Sequence, residues 1–151
     1  MVKLVKQEST HDCAAACLAM VLGMQRASDV YPWLGGDPSE FDTKGLYDTE
    51  VLSVLEKAGK SYTCQQVVTG LSKKDYATRR ALATEQELRI KLNSQQSGSA
   101  IVGLPSLNHK DGYHFVVCCR GEVFDPSNEK VYVGTAYSLP VISVIFVKDA
   151  V

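Results

Sequence analysis

The chain has 151 residues, with 16 Lys and Arg against 17 Asp and Glu for a net charge of −1. That length suits a single domain over residues 1–151 with a real core, and the charge balance leaves no footprint for nucleic acid or an anionic membrane surface. No apolar run could span a bilayer, and five cysteines without a signal peptide point to reduced thiols in a cytoplasmic protein.

The opening "MVKLVK" is too short and too charged to be a signal peptide. "QESTHDCAAACLAMVLG" follows, and its spacing predicts a helix from Asp12 to Leu22 that Gly23 ends. Apolar residues surround this helix on nearly every side, so it is expected to be buried rather than amphipathic. "ASDVYPWL" predicts a short helical turn, and "GGDPSEFDTKG", dense in Gly, Asp and Pro, a loop. "YDTEVLSVLEKAG" predicts a helix with Val51, Leu52, Leu55 and Ala58 as its apolar stripe. Asp48 or Thr49 can cap its start, and Gly59 ends it. "SYTCQQVV" predicts a strand. The basic "SKKDYATRR" carries an acid and reads as a solvated segment rather than a nucleic-acid patch. "TEQELRIKLN" predicts another helix.

The second half changes character. "SAIVGL", "GYHFVVCC", "EVFD", "KVYVGTA" and "VISVIFV" are short β-branched and aromatic runs broken by Gly, Pro, Asn or Asp. Helices first and an antiparallel sheet afterwards make an α+β domain. There is no internal repeat and no low-complexity linker.

Cys13 sits where the first helix begins. A helix N-terminus carries partial positive charge and unpaired N–H groups, which favour a thiolate, and Asp12 or Thr10 can serve as its cap. The alternative for Cys13, and for Cys17 one turn later, is burial as a small hydrophobe. Gln7, six residues upstream, could aim its amide N–H at the oxygen of a tetrahedral intermediate, with the Cys13 backbone N–H as second donor. Its alternative is an ordinary surface glutamine.

A cysteine nucleophile needs a base, and the chain has three histidines. His11 is too close to Cys13 along the chain to turn toward it. His109 lies in the polar loop "NHKDG". His114 begins the apolar strand "HFVVCC", where a titratable group needs a reason to be. If Arg120-Gly121 forms a two-residue hairpin turn, Cys119 pairs with Glu122, Cys118 with Val123 and Val117 with Phe124. Val116 would then oppose Asp125, which puts Asp125 on the same sheet face as His114, on a bridgeable diagonal. A carboxylate there could fix the imidazole tautomer and stabilise the imidazolium.

Two rival motifs fail. "AGKS" resembles the tail of a phosphate-binding loop, but Val54 stands where that loop needs glycine. A zinc site from His11, Cys13, Cys17 and one of Cys118 and Cys119 lacks the usual two-residue cysteine spacing. No metal and no cofactor are expected.

"QESTHDCAAACLAMVLG", with "GYHFVV" and "FDPSN" far downstream, resembles the papain-like peptidases that cut double-glycine leaders in bacteriocin-exporting ABC transporters, and their stand-alone relatives. The resemblance implies a papain-like α+β fold, with N-terminal helices packed on a C-terminal antiparallel sheet. It also implies Cys13 as nucleophile, His114 as base, Asp125 as its orienter and Gln7 as oxyanion donor. The substrate would be a peptide cut after small residues such as paired glycines. Ala14 stands where the family usually has glycine, and the stretch from His114 to Asp125 is shorter than is common there. No membrane or ATPase segment follows, so cleavage coupled to export is not implied. The segment Leu71 to Gln86 matches nothing in the family and is a candidate for shaping the substrate cleft. Two other functions use the same fold: a binding module without turnover, and acyl transfer or deamidation through the same thioester.

Overall fold

The computed structural model describes residues 2–9, 11–35, 46, 48–67, 80–95, 98–105, 113–127, 131–133 and 140–148. Helix α1 spans Cys13–Leu22, and every residue from Cys13 to Met20 is buried. Gly23, at φ 73°, ends it in the left-handed conformation that glycine adopts without a Cβ clash. The expected helical turn is a 3-10 turn, Ala27–Val30, running into α2, Tyr31–Leu34. Apart from Gly35, the loop predicted after it lies outside the described residues.

Helix α3 spans Asp48–Lys57 and buries Val51, Leu52, Val54 and Leu55. Asp48 and Thr49 lie inside it rather than before it. Gly59, at φ 73°, follows its end. Helix α4 spans Glu85–Ser94, capped by Thr84, whose hydroxyl accepts from Glu87 N–H at 3.1 Å. No helix among the described residues is long and apolar enough to cross a membrane.

The strands are β1 Tyr62–Val67, β2 Arg80–Ala83, β3 Ser99–Pro105, β4 Tyr113–Cys119, β5 Glu122–Phe124, β6 Val131–Val133 and β7 Ser143–Val147. They form one seven-stranded sheet in the order β2-β1-β7-β3-β4-β5-β6. Neighbours run antiparallel except β1 with β2, which are parallel. The sheet is therefore not confined to the C-terminal half. Strand β2 arises in a stretch assigned to no element, because "RALA" holds no β-branched or aromatic residue and becomes a strand by pairing with β1.

The sheet is covered on both faces. Ile101, Phe115, Val117 and Ile145 pack with α1, the 3-10 turn and α3. Ala100, Val102, Val116, Cys118 and Val144 pack on the other side with Leu88 and Leu92 of α4. Burial on both faces explains why these strands read as unbroken apolar runs rather than as alternating patterns.

Strands β4 and β5 join through Arg120 at φ 52° and Gly121 at φ 79°. Two positive φ angles in succession make the two-residue turn whose twist suits a hairpin. The register is the expected one, Cys119 with Glu122, Cys118 with Val123 and Val117 with Phe124. Arginine is strained at its position, whereas asparagine tolerates it. Arg120→Asn should therefore stabilise the fold by about 1 kcal/mol. Gly121→Ala should destabilise it by a similar amount, wholly through the backbone, since an added Cβ there meets nothing within 4 Å. Urea unfolding midpoints of the two variants should move in opposite directions.

Candidate active site

Cys13 is the first residue of α1 and is 8% exposed. The residue before it, Asp12, is 2% exposed but makes no side-chain bond to its own helix. Its carboxylate turns back into the preceding loop instead. Oδ2 accepts from Glu8 N–H at 2.9 Å and Oδ1 from Ser9 N–H at 3.0 Å. The cap expected of Asp12 is thus absent, because two loop amides compete successfully for its oxygens. The helix itself starts with the bond from Ala16 N–H to the Asp12 carbonyl at 2.9 Å. Gln7 belongs to the same loop. Its Nε2 donates to the Ser9 carbonyl at 2.7 Å, and its Oε1 is buried with no partner among the described residues. Its backbone N–H donates to the Pro126 carbonyl at 2.8 Å, which ties this loop to the residue after Asp125.

His114 is the second residue of β4, and Asp125 follows the last residue of β5. Their side chains meet, with Nε2 2.8 Å from Asp125 Oδ1 and each side chain 24% exposed. The same oxygen accepts from the Ser127 N–H at 2.9 Å and its hydroxyl at 2.7 Å. With Nε2 given to Asp125, Nδ1 is the remaining ring nitrogen, and the Cys13 side chain lies near enough to act on the imidazole. By alternation His114 shares the face of Val116 and Cys118, away from α1.

The electrostatics follow from these contacts. The hydrogen bond to Asp125 first, then the nearby Cys13 side chain, raises His114 to a pKa of about 9, against the opposing effect of partial burial. Burial by itself would raise Asp125. The bonds from His114 and Ser127 outweigh it and hold the carboxyl at about 2. Imidazolium and carboxylate therefore coexist at neutral pH.

The other cysteines are placed differently. Cys17 is fully buried, and burial first, with Cys13 nearby, pushes its thiol well up. Burial pushes Cys118 up to about 12. Cys64 is 5% exposed, because β1 is covered on that face by the main core. Cys119 is the most accessible of these four. Its neighbour Cys118 faces the α4 side of the sheet, whereas Cys119 packs against the core that holds Cys13 and Cys17. Among the described residues no three His, Cys, Asp or Glu side chains gather to hold a metal ion. His109 lies outside the described residues, as do Thr10 and most of the segment from Leu71 to Gln86. Sequence reasoning missed Ser127 and the true partners of Asp12. The Asp-Pro-Ser pattern, typical of a side chain bonding the amide two residues on, was the available signal for Ser127.

The two shifts set a pH window for stability. The raised His114 contributes fully below its ordinary value near 6.5 and loses that contribution as pH rises through about 9. The lowered Asp125 contributes above its ordinary value near 3.8 and loses it as pH falls toward about 2. Asp125→Asn should bring the His114 titration, followed by its Cε1–H NMR signal, down from about 9, and should flatten the alkaline limb of the stability profile. A His114 titration that stays in place would deny Asp125 this influence.

No family model matches the sequence, and no curated protein matches it. Solved structures do. A double-glycine-motif protease from an AMS/PCAT transporter, crystallised with a leader peptide, superposes with a TM-score of 0.61 at 17% identity, covering 99% of this chain and 93% of that one. The peptidase domain of Streptococcus ComA, a bifunctional ABC transporter of a quorum-sensing pathway, gives 0.59 at 16%, covering 99% and 100%. The chain has the α+β, papain-like fold of these double-glycine peptidase domains.

Proposed function

We propose that this protein is a cysteine peptidase in which Cys13, His114 and Asp125 form the catalytic triad and Gln7 donates to the oxyanion. The observation that carries the reading is the imidazole held between a carboxylate at 2.8 Å and the Cys13 side chain, at the start of a buried helix. A charged His114 supplies the counter-charge for a Cys13 thiolate. The thiolate sulfur attacks a peptide carbonyl carbon, and the oxygen takes up negative charge. The Cys13 N–H and one N–H of the Gln7 amide receive that charge. The Gln7 nitrogen has two hydrogens, and Ser9 uses one of them.

As the tetrahedral intermediate collapses, His114 gives its proton to the leaving amine. Neutral His114 then takes a proton from water, which hydrolyses the thioester and frees the new carboxylate. Asp125 keeps the imidazole in one orientation throughout. For the substrate we take a peptide with small residues, such as paired glycines, before the cut. This follows the double-glycine protease of like fold that is crystallised with a leader peptide.

Incubation with peptides carrying a Gly-Gly site should give cleavage that Cys13→Ala abolishes. Gln7→Ala should lower kcat by about a hundredfold or more, with the fold intact by circular dichroism, as expected for one lost oxyanion donor. Unchanged turnover would remove Gln7 from the mechanism.

Below neutral pH, iodoacetamide should modify Cys13 ahead of the other cysteines, with Cys119 as the nearest competitor. His114→Ala should slow labelling of Cys13 and not of Cys119, read by site-resolved mass spectrometry. Uniform labelling with no cleavage of any peptide would favour a binding module.

A further inference from the structure

We propose that Asp12 is a positioning residue that fixes the Gln7 amide by way of Ser9; its catalytic consequence rests on the peptidase reading above. The buried Asp12 carboxylate spends both oxygens on the loop, Oδ2 on Glu8 N–H at 2.9 Å and Oδ1 on Ser9 N–H at 3.0 Å. Ser9, held in this way, offers its carbonyl to Gln7 Nε2 at 2.7 Å. That bond decides which way the amide faces. The buried Oε1 has no partner among the described residues, so the amide has a reason to turn over, and the Ser9 carbonyl opposes it. Loosening Ser9 would let the acceptor take the place of the donor.

Two further contacts brace the loop without fixing the amide. Gln7 N–H bonds the Pro126 carbonyl at 2.8 Å, and Glu8 Oε1 accepts from the Ser28 N–H at 3.3 Å and its hydroxyl at 3.1 Å. The backward turn of Asp12 has a second effect. A carboxylate in the cap position would normally accept from the N–H groups of the first helical turn. Here it does not, so the amide of Cys13 and those after it keep their hydrogens free of a capping side chain. One residue thus orients the side-chain donor and leaves the backbone donor available.

The test is Asp12→Asn, which keeps the size but sets an N–H₂ group against one of the two N–H donors and leaves a single oxygen to accept from the other. In the wild-type protein, the backbone amides of Glu8 and Ser9 should exchange slowly with deuterium. In the variant they and the Gln7 carboxamide proton should lose protection by NMR. With a cleavable peptide, kcat should fall on the order of tenfold to a hundredfold, as for a misplaced reacting group, with KM little changed. Cys13 should still be alkylated ahead of the other cysteines and be slowed by His114→Ala, because Cys13, His114 and Asp125 are unchanged. In a Gln7→Ala background, Asp12→Asn should cost almost nothing more. Unprotected Glu8 and Ser9 amides in the wild type would overturn the proposal even if the variant fails to fold. So would an additive loss in the double variant, or loss of the preferential alkylation of Cys13. Absence of cleavage by the wild type, with the amides protected and the Gln7 signal responding, would instead overturn the peptidase reading and leave the Asp12 hold standing.

Discussion

Helix α1 is enclosed, with each residue from Cys13 to Met20 buried, and this enclosure fixes the place of its first residue, Cys13. Four of those residues are alanines, so the helix can approach β4 closely while the larger Leu18 and Met20 fill the core. A helix with a wet face could slide or tilt by rotating its polar stripe. One packed on every side has a single seat, because core side chains interlock at crystal-like density. The N-terminus of α1 is thereby held still. The sulfur at that end inherits a position that no surface loop could give it.

The second partner comes from strand geometry rather than from packing. A two-residue turn at Arg120-Gly121 sets the register of β4 and β5, and the register brings Asp125 to His114. Ser127 then adds two donors to the carboxylate oxygen that the imidazole uses. Charge and geometry support each other here. The carboxylate is kept ionised by three hydrogen bonds to one oxygen, and the ionised carboxylate keeps the imidazole charged. Neither group would hold its state at neutral pH as firmly alone.

Much of this was legible in the sequence, for reasons that differ by element. Helix α1 declared itself through an unbroken apolar run and a terminating Gly23. The meeting of His114 and Asp125 could be counted out because strand side chains alternate strictly and the turn residues fix the count. Strand β2 could not be read, since its residues have no strand preference and the partner that makes them a strand is β1. Asp12 was misread for a more instructive reason. An aspartate before a helix can bond forward to the helix or backward to its loop, both within four residues, and local sequence does not rank the two. The coverage of the sheet by α4 on its far face, and hence the burial of Cys118 there, was likewise a matter of tertiary arrangement.

The tie between Asp12 and Ser9 also bears on how such a protein can change over evolutionary time. Gln7 and Cys13 are coupled by bonds that reach back only three and four residues from Asp12, so an insertion or deletion between them would break the coupling outright. The link from His114 to Asp125 is just as intolerant, since one added residue turns a strand's side chains over. Between these two short rulers lie one hundred residues, from Ala14 to Tyr113, whose loops can lengthen or shorten while the sheet still returns β4 to its place. A chain built in this way can share its fold, at 16–17% identity, with structures it superposes on over 99% of its length. What drift cannot alter freely is the spacing within two stretches, seven and twelve residues long, Gln7 to Cys13 and His114 to Asp125.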